Sequence, residues 1–143
     1  MPAGTAGESG SEPMYVLDTN SVVFFFKGQG RVADRLLARK PSEVALPALV
    51  LYELEVGVLR SKAPARRRAQ LDTLLGATRV LPFGPDEARA AARIRAALEP
   101  TGEGIGPLDT LIAATALANG GTLVTHNTRE FRRVAGLSVE DWY

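Results

Sequence analysis

Four carboxylates stand at positions that solubility alone does not explain. Asp18 closes the apolar run Tyr15-Val16-Leu17 and is followed at once by Thr19, Asn20 and Ser21. This is the pattern of a buried strand that hands an acid to its C-terminal edge, where a helix begins. In open α/β sheets that edge is where ligands bind. Glu53 shares a helical stripe with Leu49, Val56 and Gly57, an acid in an otherwise apolar face. Burying it alone would cost on the order of several kcal/mol, so it needs a cation, either a basic side chain or a metal. Asp109 falls in the first turn of a helix opened by Pro107, where the helix dipole and free backbone N–H groups favour a carboxylate whatever else it does. Glu130 comes one short turn after the apolar Leu123-Val124-Thr125 and can point back to the same sheet edge if the strands are parallel neighbours. Asn127 can supply a neutral oxygen or an amide there. His126 is the one histidine of the chain, and a lone histidine is more often a surface or supporting residue than a ligand.

Gathered within several ångströms, Asp18, Glu53, Asp109 and Glu130 cannot all stay ionised at neutral pH without a compensating cation. The donors are oxygens, with no cysteine and one histidine in the chain, which suits Mg²⁺ or Mn²⁺ rather than Zn²⁺. A hard ion in such a place acidifies a bound water and neutralises charge on a phosphoryl oxygen. The chemistry implied is metal-assisted phosphodiester hydrolysis by an activated water, with no covalent enzyme intermediate.

The elements that must position these acids follow from hydrophobic period and stop signals. Strands are expected over residues 15–18, 43–46, 78–81 and 122–125, with a further edge strand over 137–139. Between them come helices over 21–27, 31–39 and from Pro47 to about Ser61, then one carrying Leu71, Leu74 and Leu75 to Gly76. Pro85 to Leu98 and Pro107 to Asn119 are the strongest helical stretches, each opened by proline, the second stopped by Gly120-Gly121. A short helical turn follows over 127–133. Strands alternating with helices predict an α/β fold, a mostly parallel sheet covered on both faces.

Composition sets the frame. A chain of 143 residues is one domain by length and buries roughly two-thirds of its unfolded surface. Hydrophobic residues make up 45% and charged ones 23%, ordinary for a globular protein. The absence of cysteine excludes disulfides and thiolate chemistry. No apolar run approaches the roughly 18 residues that span a bilayer, and the N-terminus lacks the pattern of a signal peptide; a soluble, cytoplasmic protein with no membrane partner is expected. Residues 1–13, rich in Gly, Ser, Ala and Pro, read as a disordered leader, and 14–143 as the working domain. The whole-chain charge is +1, but Glu8 and Glu12 lie in that leader and every Lys and Arg lies beyond it, so the domain is more basic. A basic elbow runs from Arg60 to Arg68 and is either a solvated face or a phosphate-contacting rim. With one Trp and three Tyr, no base-stacking platform is evident in the sequence.

The motifs Leu17-Asp18-Thr19-Asn20, Glu53-Leu54, Ile105-Gly106-Pro107-Leu108-Asp109-Thr110-Leu111-Ile112 and Leu123-Val124-Thr125-His126-Asn127-Thr128-Arg129-Glu130-Phe131 occur in an order that resembles PIN-domain ribonucleases. The likeness is greatest to the VapC-type toxins of toxin–antitoxin pairs, and Gly136 to Trp142 looks like the end of such toxins. The resemblance implies a three-layer α/β/α sandwich around a mostly parallel sheet of four to five strands. It also implies Mg²⁺-dependent endonuclease activity on RNA, with Mn²⁺ able to substitute, neutralisation by a VapB-type antitoxin, and a homodimer. Residue by residue, it carries the catalytic acids onto Asp18, Glu53 and Asp109, with Asp18 and Asp109 as direct metal ligands. The fourth acid is Glu130, or else its place is taken by Asn127, where many relatives have an Asp. Asn20 and Thr125 are implied to orient an acid or a water. The run Phe24-Phe25-Phe26 departs from the more mixed helix usual in the family, either as core or as a partner-facing apolar end. Two other readings compete: a non-catalytic PIN-like module that binds RNA or protein, and a phosphoaspartyl enzyme with Asp18 as nucleophile. The second lacks an Asp two residues after Asp18 and a nearby phosphate-clamping Lys.

Overall fold

The structure, a computed structural model, describes residues 13–143; the leader expected over 1–13 lies, except for Pro13, outside the described residues. Five short strands, β1 (Tyr15–Leu17), β2 (Val44–Pro47), β3 (Arg79–Leu81), β4 (Thr122–Val124) and β5 (Ser138–Glu140), form one sheet in the order β3-β2-β1-β4-β5. Every pairing is parallel, and parallel strands need crossover connections, which the helices provide. These are α1 (Thr19–Lys27), α2 (Val32–Leu37), α3 (Ala48–Arg60), α4 (Pro64–Gly76), α5 (Pro85–Leu98), α6 (Pro107–Ala118) and α7 (Thr128–Phe131). The three-layer sandwich and the fifth, edge strand are as expected.

The chain builds outward from β1 to β2 and β3, then crosses back through α5 and α6 to place β4 on the other side of β1. Strand order therefore reverses at β1. In such sheets a crevice opens at that reversal, beyond the carboxyl ends of the strands. The central strands are apolar on both faces, with Val16, Leu17, Ala45, Leu46, Leu123 and Val124 at 0% exposure, as a sheet covered on both sides requires.

Boundaries moved by a residue or two, for identifiable reasons. Asp18 ends no strand: its backbone is extended and it caps α1, accepting from the Ser21 N–H, so the helix starts at Thr19 rather than Ser21. Pro47 closes β2 instead of opening α3, and the 31–39 helix is trimmed to Val32–Leu37. At α5 the Glu87 carboxylate accepts from the Gly84 N–H at 2.9 Å, fixing the start of the helix. The turn from α6 into β4 needs glycine at 121, because a Cβ there would sit 2.8 Å from Val16 Cγ2. α6 packs on α5 on one side and reaches the sheet on the other, which explains why so much of its circumference is buried.

Candidate active site

The register carries Asp18 to the crevice. Leu17 pairs with Val124, and the Asp18 N–H donates to the Val124 carbonyl at 3.1 Å, so Asp18 and Thr125 emerge side by side past the ends of β1 and β4. The Thr125 hydroxyl bonds the Asp18 carboxylate. Ser21 holds it from the other side: its N–H donates to Asp18 Oδ1 at 2.9 Å, and its hydroxyl is anchored on the Val124 carbonyl at 3.1 Å. Asp18 is only 6% exposed. Burial pushes its carboxyl above the usual Asp range, the hydrogen bonds from Thr125 and Ser21 pull it partly back, and the negative charge of Asp141 adds a smaller push upward.

Asp109, half-buried in the first turn of α6, is also raised. Burial is the main cause, followed by the charges of Glu130, Asp18 and Glu53 in that order. One carboxylate thus feels all three of the others, and the four acids singled out from the sequence share one electrostatic neighbourhood. Glu53 comes from the mid-part of α3 and accepts a hydrogen bond from the Thr19 hydroxyl. Glu130 comes from α7 and accepts from the Asn127 amide at 3.1 Å, while the Asn127 N–H rests on Thr125 Oγ1 at 3.0 Å. Asn127 and Glu130 therefore act as a joined pair. Asn20 is exposed in the first turn of α1 and makes no hydrogen bond to the acids; Thr19 and Ser21 on either side of it do the holding.

None of the four acids forms an ion pair among the described residues. The basic side chains that do so pair elsewhere: Arg35 with Glu140, Arg68 with Glu55 and Asp72, Arg89 with Asp86, and Arg95 with Glu99. The partner that Glu53 needs is thus no arginine. Hydroxyl and amide donors orient the carboxylates but leave their charge in place, and a hard cation answers that deficit. Among the described residues no three His, Asp or Glu side chains are gathered into a ready cage. That is compatible with an ion held through one or two carboxylates and several waters, the usual habit of Mg²⁺. A cavity of about 220 Å³ is lined by Glu53 together with Thr19, Phe26, Lys27 and Arg67.

The basic elbow divides. Arg68 is tied to Glu55 and Asp72, and Arg67 donates to Gln70 Oε1 at 2.9 Å. Arg60, Lys62 and Arg66 stay exposed. Phe24, Phe25 and Phe26 all pack partly against the core, and Phe24 also meets His126 and Tyr143 edge-on. Those rings form an aromatic cluster that the sequence did not suggest. Of the supporting residues missed, Ser21 carried a legible signal, since a capping Asp bonds the N–H three residues on. Thr19, Asp141 and the aromatic cluster did not.

A family model described as the PIN domain matches residues 15–137. The chain belongs to the PIN-domain family. Within it the chain stands with the VapC ribonucleases. It is 34% identical over 128 residues to the tRNA(fMet)-specific endonuclease VapC of Shigella flexneri, covering 90% of this chain and 97% of that one. To ribonuclease VapC2 of Rickettsia felis it is 35% identical over 131 residues, covering 90% and 98%. Its fold is similar to the crystal structure of a DNA-bound VapBC from Salmonella typhimurium, with a TM-score of 0.85 and 32% identity over 92% of this chain and 99% of that chain. Nucleases of this kind are in general metal-dependent. No helix among the described residues is long and apolar enough to cross a membrane.

Proposed function

We propose that this chain is an endoribonuclease toxin that hydrolyses RNA phosphodiester bonds with Mg²⁺, residues 14–143 forming the nuclease domain. The observation that carries this is the set of four neighbouring carboxylates, none of them ion-paired among the described residues, at the point where strand order reverses. Asp18 and Asp109 would hold the ion, both carboxyls being raised by burial, a cost that a bound cation offsets. When bound, the ion supplies charge neutralisation at the phosphate and a more acidic water. Glu53, fixed by Thr19, and Glu130, fixed by Asn127, border the same space and can accept protons from water or orient it. Thr125 and Ser21 keep the Asp18 carboxylate facing the cleft. Exposed Arg60, Lys62 and Arg66 offer phosphate contacts beyond the catalytic space.

The relatives suggest the surroundings. The Shigella protein is named for action on tRNA(fMet), which makes structured RNA the first substrate to try, and the Salmonella structure is of a VapBC complex. By that analogy the chain works in the cytoplasm as a homodimer, silenced by a VapB-type antitoxin. The test is incubation of total RNA with the purified protein in Mg²⁺, in Mn²⁺ and in EDTA, followed by mapping of the new ends. Discrete cuts in either ion and none in EDTA are expected. Cutting that persists undiminished in EDTA would overturn the metal mechanism, and no cutting in any condition would favour a binding module.

A further inference from the structure

Phe24 on α1, His126 just past β4, and Tyr143 come from distant parts of the chain and meet beside the acidic cleft. The His126 and Tyr143 rings stack, with centroids 4.4 Å apart and planes at 29°. Phe24 supports both edge-on, at 5.7 Å from His126 and 4.8 Å from Tyr143. Asp141 ties the pair together: Oδ2 lies 2.9 Å from His126 Nδ1, and Oδ1 accepts from the Tyr143 N–H at 2.9 Å. The segment is seated on the turn before α2, where the Arg31 N–H donates to the Trp142 carbonyl at 3.0 Å. Gly30 there has a positive φ, and a Cβ on it would lie 2.6 Å from Tyr143 Cα. The stack is therefore held in place rather than left to swing.

Its exposure marks it off from the core. Trp142 and Phe131 are each 1% exposed, whereas Tyr143 is 49% exposed and the His126 side chain 50%. His126 follows directly on Thr125, whose hydroxyl bonds Asp18, and the charge of Asp141 reaches Asp18 as well. Arg129, Arg132 and Arg133, next along the chain, are exposed and form no ion pair among the described residues, a cationic lane suited to a phosphate backbone.

We propose that the His126–Tyr143 stack is a nucleobase subsite, taking an unpaired base of the RNA next to the phosphate that is cut. It rests on the ribonuclease reading and deepens it. Proteins read single-stranded RNA by stacking splayed bases on aromatic side chains, and every base offers a π-face. A platform fixed in advance spares the ordering cost that loose side chains would add to binding. The same contact can bias which nucleotide stands beside the cut, since purines offer more stacking surface than pyrimidines.

The test uses the full-length protein and a single-stranded RNA carrying 2-aminopurine beside a mapped cut. Steady-state cleavage in Mg²⁺ should show KM raised about tenfold by His126→Ala or Tyr143→Leu, the order of a lost base stack. kcat should stay within about twofold, and His126→Phe should return KM close to wild type. In EDTA, quenching of 2-aminopurine by the wild type should be lost in His126→Ala. If the wild type cuts RNA while His126→Ala and Tyr143→Leu leave KM and quenching unchanged, the subsite falls and the ribonuclease reading stands. A His126→Phe variant as poor as His126→Ala also sinks the stacking role. Failure of the wild type to cut or bind any RNA would remove the reading and the subsite together. Thermal midpoints of the variants separate loss of fold from loss of binding, and should one alanine or leucine variant fail to fold, the other and His126→Phe still decide.

Discussion

Glu53 and Glu55 lie on the same helix and meet opposite fates. Glu55 faces α4, where the Arg68 guanidinium grips both of its oxygens and holds its carboxyl below the usual range. Glu53 faces the crevice, accepts a hydrogen bond from Thr19, and shares its space with Asp18, Asp109 and Glu130, each without a basic partner. The first arrangement satisfies a charge by folding alone. The second leaves charge unsatisfied until something binds, and so stores a preference for a cation in the folded chain. Asp18 raised by burial and Asp109 raised by burial and by its three acidic neighbours, with no arginine paired to either among the described residues, are what separates a site from a staple.

The sharpest way to break this contrast is to remove a carboxylate from the cleft without changing its shape. Asp18→Asn and Asp109→Asn should each lower RNA cleavage in Mg²⁺ by on the order of 10³-fold or more, the scale of several kcal/mol of charge stabilisation. Single-turnover rates on a defined RNA measure it. Asn still caps a helix, so Asp18→Asn should keep the fold. Near-wild-type rates in both variants would show that the acids of the cleft are not the working groups.

Much of this contrast could be read before the fold was known. An acid at the end of an apolar run, an acid in an apolar stripe and an acid after a helix-opening proline are local patterns, and local patterns survive in sequence. So did the alternation of strands and helices, because period and glycine or proline stops are set by nearby residues. What stayed hidden depends on crossing. That Thr19 bonds Glu53 follows only once α3 is laid beside α1. Similarly, the 24–126–143 ring cluster needs β4 brought next to β1 and the tail folded over the turn at Gly30. Strand ends shifted where side-chain capping overrode the hydrophobic pattern, as when Asp18 became the cap of α1 rather than the last residue of β1.

The contrast also predicts a cost in stability. Asp18 binds its proton more tightly in the folded protein than in the unfolded chain, because burial raises its carboxyl. Stability is therefore lost as pH rises from the ordinary Asp value of about 3.9 through the raised native one, and stays lost above it. Asn in its place suffers no such loss. In EDTA at pH 7, Asp18→Asn should melt higher than wild type by about 2–4 °C, the shift that ~1 kcal/mol produces in a domain of this size. The gain should disappear below about pH 3.5, where both states of the wild type are protonated. Added Mg²⁺ should raise the wild type and not the variant, since a ligand stabilises only the state that binds it. A variant less stable than wild type in EDTA at neutral pH would contradict the charge frustration claimed for the cleft.

The smallest effect belongs to the satisfied side. Arg68→Ala leaves Glu55 without its guanidinium, but both partners are more than a third exposed, so water replaces most of what is lost. Exposed ion pairs contribute little to stability, even with the forked geometry of this one and Asp72 as a second, more distant partner at 3.7 Å. The melting point should therefore fall by no more than about 2–4 °C. Glu55 should return toward an ordinary carboxylate, so the loss should shrink as pH falls through its lowered native value. Cleavage of RNA should be unchanged within about twofold, because Arg68 compensates no acid of the cleft. A large loss of activity with the fold intact would mean that the two acids of α3 are coupled after all, and that the helix carries charge from its staple to its site.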